Sequence, residues 1–174
     1  MSRLTSDFYK QDAVTVAEKL LGKTLFRALG DGTISQYTIT ETEAYLGEED
    51  LACHASKGRT PRTEVMYGEG GHIYVYLIYG MYWMLNIVTG TADHPEAVLI
   101  RGLDKIIGSG KVGRELNIDK SFYGESITAS SRIWINEAPD VLNITKTSRI
   151  GIDYAGEEWK DKPWRFILAK NDMK

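Results

Sequence analysis

From Asp12 to Leu21 the apolar positions Ala13, Ala17 and Leu20 recur at helical spacing, with Val14 and Leu21 beside them, and Gly22 supplies a stop. The period then shortens to that of a strand. Lys23 to Ala28 and Thr33 to Tyr45 read as strands joined by the turn residues Gly30, Asp31 and Gly32. Gly47 to Gly71 loses periodicity and is rich in glycine, proline and charge. It reads as a long loop, and loops of this length inside a domain are usually functional. Ile73 to Ile78 and Tyr82 to Val88 predict a hairpin around Tyr79, Gly80 and Met81. Ala97 to Leu103, Arg132 to Asn136, Ser148 to Asp153 and Trp164 to Leu168 are further predicted strands. Lys111 to Leu116 predicts a short helix, and Thr128 to Ser131 and Asp161 to Pro163 predict turns. Strands outnumber helices, at hairpin spacing. The expected fold is α+β: one domain over 1–174, with a curved, mainly antiparallel sheet, partly barrel-like, flanked by a few helices and long loops.

Strand alternation puts Glu41, Glu43 and Tyr45 on one face. A carboxylate there could orient and deprotonate water, and a tyrosine could stack on a flat substrate; exposed acids on a solvated face are the plainer reading. His54, in the long loop, could meet a base edge or orient a carboxylate. In the hairpin, Tyr74, Tyr76 and Ile78 face one way and Val75 and Leu77 the other. Tyr74 and Tyr82 suit core cross-strand pairs. Tyr79 at the turn suits either packing or a wedge that enters a base stack. Asn86 interrupts an apolar strand and must find partners, either backbone groups or a substrate edge. Arg101, alone in an apolar strand, needs a carboxylate or phosphate.

Composition narrows the classes. The chain has 174 residues and one cysteine, Cys53, which rules out an intramolecular disulfide and suits a reducing cytosol. Met1 to Lys10 lacks the pattern of a signal peptide, and the longest apolar run, Ile73 to Val88, is short for a bilayer span. No membrane is expected. The histidines His54, His72 and His94 lack metal-ligand spacing, so neither metal nor cofactor is expected. Gly108 to Lys111 resembles part of a phosphate loop, but Val112 follows where Ser or Thr is needed. Net charge is −3 and the pI about 5.7, which argues mildly against nucleic acid. The distribution is uneven. Asp31 to Asp50 holds six acidic residues and no basic one. Lys57, Arg59 and Arg62 then cluster, and Arg101, Lys105, Lys111, Arg114 and Lys120 form a looser basic stretch.

The run E-T-E-A-Y-L-G at Glu41 to Gly47, His54 in the loop that follows, Gly58-Arg59-Thr60, the aromatic hairpin Ile73 to Asn86, and Leu99-Ile100-Arg101 resemble the alkyladenine/3-methyladenine DNA glycosylase family in order and spacing. A weaker likeness continues through Gly108 to Lys111, Arg149 to Gly156 and Lys162 to Phe166. The resemblance implies a monofunctional DNA repair glycosylase that flips damaged purines out of double-stranded DNA. It implies Glu43 as the water-activating base, with Arg101 near the water and the backbone phosphate. It implies Tyr45, His54 and Tyr76 as walls of the base pocket, Asn86 as the group that bars guanine, and Tyr79 as the intercalating side chain. Arg59, Arg62 and Lys111 are the expected DNA-backbone contacts. A monomer in the cytoplasm, associated with the nucleoid, is the expected form. Departures fall at Gly68 to Gly71, where prolines are frequent, at Ser109, and at Cys53, where a small residue is usual. The rival readings are a lesion-binding protein without chemistry, a metal-dependent hydrolase and an RNA-binding module.

Overall fold

A computed structural model describes residues 1–104 and 106–170; Lys105 lies outside the described residues. In chain order the elements are α1 (Ser6–Tyr9), α2 (Ala13–Leu20), β1 (Thr24–Ala28), β2 (Ile34–Leu46), β3 (Ile73–Ile78), β4 (Tyr82–Thr89), β5 (Glu96–Leu103), β6 (Ile106–Ile107), α3 (Ser109–Glu115), β7 (Ile133–Asn136), β8 (Ile144–Thr147), α4 (Glu157–Lys160) and β9 (Arg165–Leu168). All the strand pairs are antiparallel. The main path runs β3-β4-β5-β2-β1-β7 and does not close; β6 pairs with β5, and β9 joins β2 to β8. The fold is α+β, built on an open sheet.

Local chemistry explains the elements. Asp12 caps α2, its carboxylate accepting from the Thr15 N–H at 3.0 Å. Gly22 takes the left-handed turn that ends it, at φ +81°. β2 is long because it serves several partners: β1 along its first part, then β5 and β9. Register shifts flank Glu41 in the β2–β5 ladder, and such irregularities bend a strand.

Alternation sorts the sheet into two faces. Thr42 and Ala44 of β2, Ile73 and Val75 of β3, Leu85 and Ile87 of β4, and Val98 and Ile100 of β5 are buried on the helix side. There they meet Ala13, Val16, Ala17 and Leu20 of α2 and Val112 of α3. The Thr42 hydroxyl donates to the Ala17 carbonyl at 2.7 Å. Burying the apolar side chains stabilises the fold by roughly 1.5–3 kcal/mol apiece. The opposite parity, Glu43, Tyr45, Tyr74, Tyr76, Asn86 and Arg101, is left for the other face.

One expected strand is not formed. Ser148 to Asp153 is irregular, and the strand lies just before it, at Ile144–Thr147. Gly151 sits at φ +72°, outside the extended region, and the Arg149 side chain turns inward to a buried carboxylate. The loop Gly47 to Gly71 contains two 3-10 turns, His54–Lys57 and Glu64–Tyr67. The short helices α1 and α4 have too few turns to leave a periodic signal.

α3 packs so closely on β4 that a Cβ on Gly113 would lie 1.9 Å from the Trp83 carbonyl oxygen. Gly113→Ala should therefore lower stability by about 1–3 kcal/mol in urea unfolding, and an unchanged midpoint would contradict this packing.

Candidate active site

Glu41 and Glu43 are both buried, at 4% and 0% exposure. Each is answered by a different donor set. Glu41 Oε1 accepts from Arg101 Nε at 3.0 Å and from Arg165 Nε, delivered by β9, at 2.6 Å. Glu43 Oε2 accepts from the Tyr45 hydroxyl at 2.7 Å, and Oε1 from the Ile150 backbone N–H at 2.9 Å. Arg101 Nε stands 3.4 Å from Glu43 Oε1. Burial raises the Glu43 carboxyl above its ordinary 4.5, while Arg101, Tyr45, Ile150 and Arg149 hold the rise back. Glu43 is therefore a carboxylate stripped of water but still supplied with donors, the setting in which a carboxylate serves as a base.

Beside it opens a pocket lined by Tyr45, Cys53, His54, Met66, Tyr74, Tyr76, Asn86 and Tyr154, among others, with about 340 Å³ of atom-free space including its mouth. The structure thus brings Tyr45, His54, Tyr76 and Asn86 together around one cavity. The His54 ring stands edge-on to Tyr76, with centroids 4.5 Å apart. His54 Nδ1 lies 2.8 Å from the Tyr74 hydroxyl. Asn86 is buried and spends its amide N–H on the Tyr74 carbonyl at 3.2 Å. That bond uses one of the two amide N–H groups and leaves the other N–H and the amide oxygen without a side-chain partner among the described residues. Burial also drives the Cys53 thiol up to about 12, so it stays protonated.

Tyr79 stands apart from the pocket at the hairpin tip. It is 87% exposed, flanked by exposed Leu77 and Met81. Tyr79 and Gly80 have φ of 51° and 65° in the turn closed by the Met81 N–H to Ile78 carbonyl bond. A left-handed backbone is natural for glycine but strained for tyrosine, and strain of this kind collects at functional sites.

The basic residues divide. The Arg59 guanidinium is gripped by Glu64 at 2.8 and 2.7 Å and lies 3.6 Å from Asp93. Arg62 is exposed and lies over the Tyr76 ring, 5.1 Å from its centroid. With Lys57 it lines a cleft that shares Cys53, His54 and Tyr154 with the pocket. Lys111 is exposed on α3. Neither Lys57, Arg62 nor Lys111 is in an ion pair among the described residues. Among those residues, no group of three or more His, Cys, Asp or Glu is placed to hold a metal ion. Nor is any helix long and apolar enough to cross a membrane.

Sequence reasoning assigned Tyr74 to core cross-strand pairing and passed over Tyr154, Asp50 and Arg149 as site residues; Tyr74 is buried and also lines the pocket. The parity it shares with Tyr76 is the signal that places it there. Asp50 and Arg149 pair across the chain, and spacing carries no signal for that.

The site is thus a buried, donor-ringed carboxylate joined through Tyr45 to the wall of an aromatic pocket. The family model for methylpurine-DNA glycosylase matches residues 7–107 and 104–172. The chain belongs to the methylpurine-DNA glycosylase family. It is 44% identical to a relative from Methanocella arvoryzae, over 95% of this chain and 92% of that one. It is 41% identical to one from Natranaerobius thermophilus, over 97% and 96%. Both relatives are assigned the name 3-methyladenine DNA glycosylase.

His54 provides a test of the pocket's dryness. Burial, with Arg62 and Lys57 adding repulsion, lowers its pKa from 6.5 to about 4. The unfolded chain binds this proton more tightly than the folded one. His54 therefore costs stability as pH falls from 6.5 towards 4, and the cost is absent above 6.5. Nitrogen-15 NMR should find its ring neutral down to about pH 5, whereas protonation near the ordinary value would contradict the buried geometry.

Proposed function

We propose that this protein is a DNA repair enzyme that hydrolyses the N-glycosidic bond of damaged purines in duplex DNA and leaves an abasic site. 3-Methyladenine is the first substrate, with other alkylated or deaminated purines as further candidates. The observation that carries the reading is the fully buried Glu43 carboxylate, joined through the Tyr45 hydroxyl to the wall of an aromatic pocket.

A lesion that pairs or stacks poorly leaves the helix at a lower cost than a normal base, and flipping costs a few kcal/mol. The extruded purine enters between Tyr45 on one side and Tyr76 with His54 on the other. Tyr79, held outward by its turn, fills the gap in the stack. Glu43 takes a proton from water as the oxygen bonds to the deoxyribose C1′. The C1′–N bond breaks, and its electron pair leaves with the purine. An N3-alkylated adenine is cationic, so it departs neutral, and electron-rich rings favour its bound form. Asn86, buried and tied to the Tyr74 carbonyl, occupies the space that a 2-amino group would need and so bars guanine. Arg101 steadies the carboxylates and meets the backbone phosphate. Arg62, Lys57 and Lys111 take neighbouring phosphates; Arg59 joins them only by exchanging Glu64 for DNA. Among the described residues no lysine is in the pocket's lining, which supports reading the enzyme as monofunctional, without the lyase step that an amine nucleophile would supply. It works as a monomer, without a cofactor, in the cytoplasm at the nucleoid.

Glu43→Gln should slow single-turnover release from alkylated DNA by at least about 100-fold while binding to abasic-site DNA holds. Release near the wild-type rate would remove Glu43 from the role. Tyr79→Ala should weaken binding to lesion-bearing duplex by about tenfold, in line with one lost stacking contact; unchanged affinity would sink the wedge.

A further inference from the structure

The mechanism leaves unused a buried ion pair directly behind the pocket. The side chains of Arg149 and Asp50 are both 0% exposed and meet through bonds of 2.6 and 3.0 Å. Such pairs are costly to desolvate and are weak grounds for stability by themselves. What they touch is more informative. Asp50 accepts from the Leu46 N–H at 3.0 Å and the Ala52 N–H at 3.1 Å, fixing the chain as it leaves β2. Arg149 donates to the Ala44 carbonyl at 3.0 Å, inside β2, and to the Trp159 carbonyl of α4 at 3.2 Å. Its guanidinium also packs on the Tyr45 ring at 4.8 Å and the Trp164 ring at 5.0 Å. One donor, Nε, is buried without a partner among the described residues, a cost that a pair selected for stability alone would avoid. The next residue along, Ile150, gives its N–H to Glu43.

We propose that Asp50 and Arg149 form a positioning unit for the Glu43 carboxylate: the pair lays the Ile150 N–H onto Oε1 and backs the tyrosine whose hydroxyl holds Oε2. The inference rests on the reading of Glu43 as the water-activating base and adds the device that aims it. The segment after β8 is irregular and exposed at Ser148, Ile150 and Gly151, so nothing in a ladder fixes the Ile150 amide. The inward Arg149 does so instead. Water attack needs a carboxylate placed to a fraction of an ångström, and a misplacement of 1 Å can cost roughly 100-fold.

Other charged and titratable groups also face Glu43: Arg101 from β5, Glu41 and Tyr45 from β2, Tyr76 from β3, Arg165 opposite it on β9, and Tyr154 beyond the Ile150 loop. All of these remain when the buried pair is altered; because the Arg149 charge also acts on Glu43 directly, the Ile150 amide, and not the titration alone, reports on positioning.

The test compares wild type with Asp50→Asn/Arg149→Met, which removes both charges but keeps similar shapes, and with Arg149→Lys, which keeps the charge but loses the fork. NMR of the protein without DNA follows the Glu43 carboxyl carbon and the Ile150 amide proton across pH. In wild type the amide shift should track the Glu43 titration. In the neutral pair Glu43 should titrate higher and the Ile150 amide should stop tracking it; single-turnover release should fall roughly 100-fold with abasic-site binding kept. An unmoved Glu43 titration, or an amide that still tracks it, would overturn the proposal. Should the neutral pair not fold, Arg149→Lys decides: lost tracking supports the unit, and retained tracking refutes it. Wild-type protein that releases no base would count against the catalytic reading of Glu43, whereas the NMR readouts judge the positioning unit by themselves.

Discussion

The structure turns on the burial of carboxylates. Glu41, Glu43 and Asp50 all lie within one turn-and-strand region and are all nearly or fully inaccessible to water. Taking an ionised carboxylate out of water costs several kcal/mol unless donors replace the lost hydration. Three arginines from distant parts of the chain, Arg101, Arg149 and Arg165, are drawn in to supply them. That requirement ties β5, β9 and the loop before α4 to one strand. It also explains how an acidic chain could suit a polyanion. Half of its most acidic stretch is turned inward and neutralised, while Lys57 and Arg62 stand at the mouth of the pocket.

The sheet makes this possible by alternation. One parity of β2, β3, β4 and β5 is spent on a dry core beneath α2 and α3; the other carries the acids, the tyrosines and Asn86. A shift of one residue in register would exchange the two sets. The core therefore fixes the site, and the Gly113 contact between α3 and β4 is one place where that fixing is tight.

Much of the fold was legible because the periods were clean. The α2 helix with its Gly22 stop, the aromatic hairpin and the shared face of Glu41, Glu43 and Tyr45 all follow from spacing. The choice between the two acids did not, because they share a face; the family resemblance made it, and the structure distinguishes the two by their donors, two arginines for Glu41 and a hydroxyl with an amide for Glu43. Ser148 to Asp153 read as a strand because its pattern alternates, yet Arg149 answers a carboxylate 99 residues away. Arg59 sat in a basic cluster whose nearest acid, Glu64, turned out to hold it. Long-range pairing of charges is the part of this architecture that local pattern does not encode.

The central claim is that an ionised Glu43, held by the Tyr45 hydroxyl, drives hydrolysis. The most direct measurement is the pH dependence of single-turnover 3-methyladenine release from duplex DNA by wild type and Tyr45→Phe. The account predicts that the rate rises with pH through a midpoint above the ordinary 4.5 of a glutamate. It also predicts that this midpoint moves higher in Tyr45→Phe, where the stacking ring remains but the donor is lost. A rate that stays flat across the acid range, or a midpoint that ignores the loss of the hydroxyl, would contradict it.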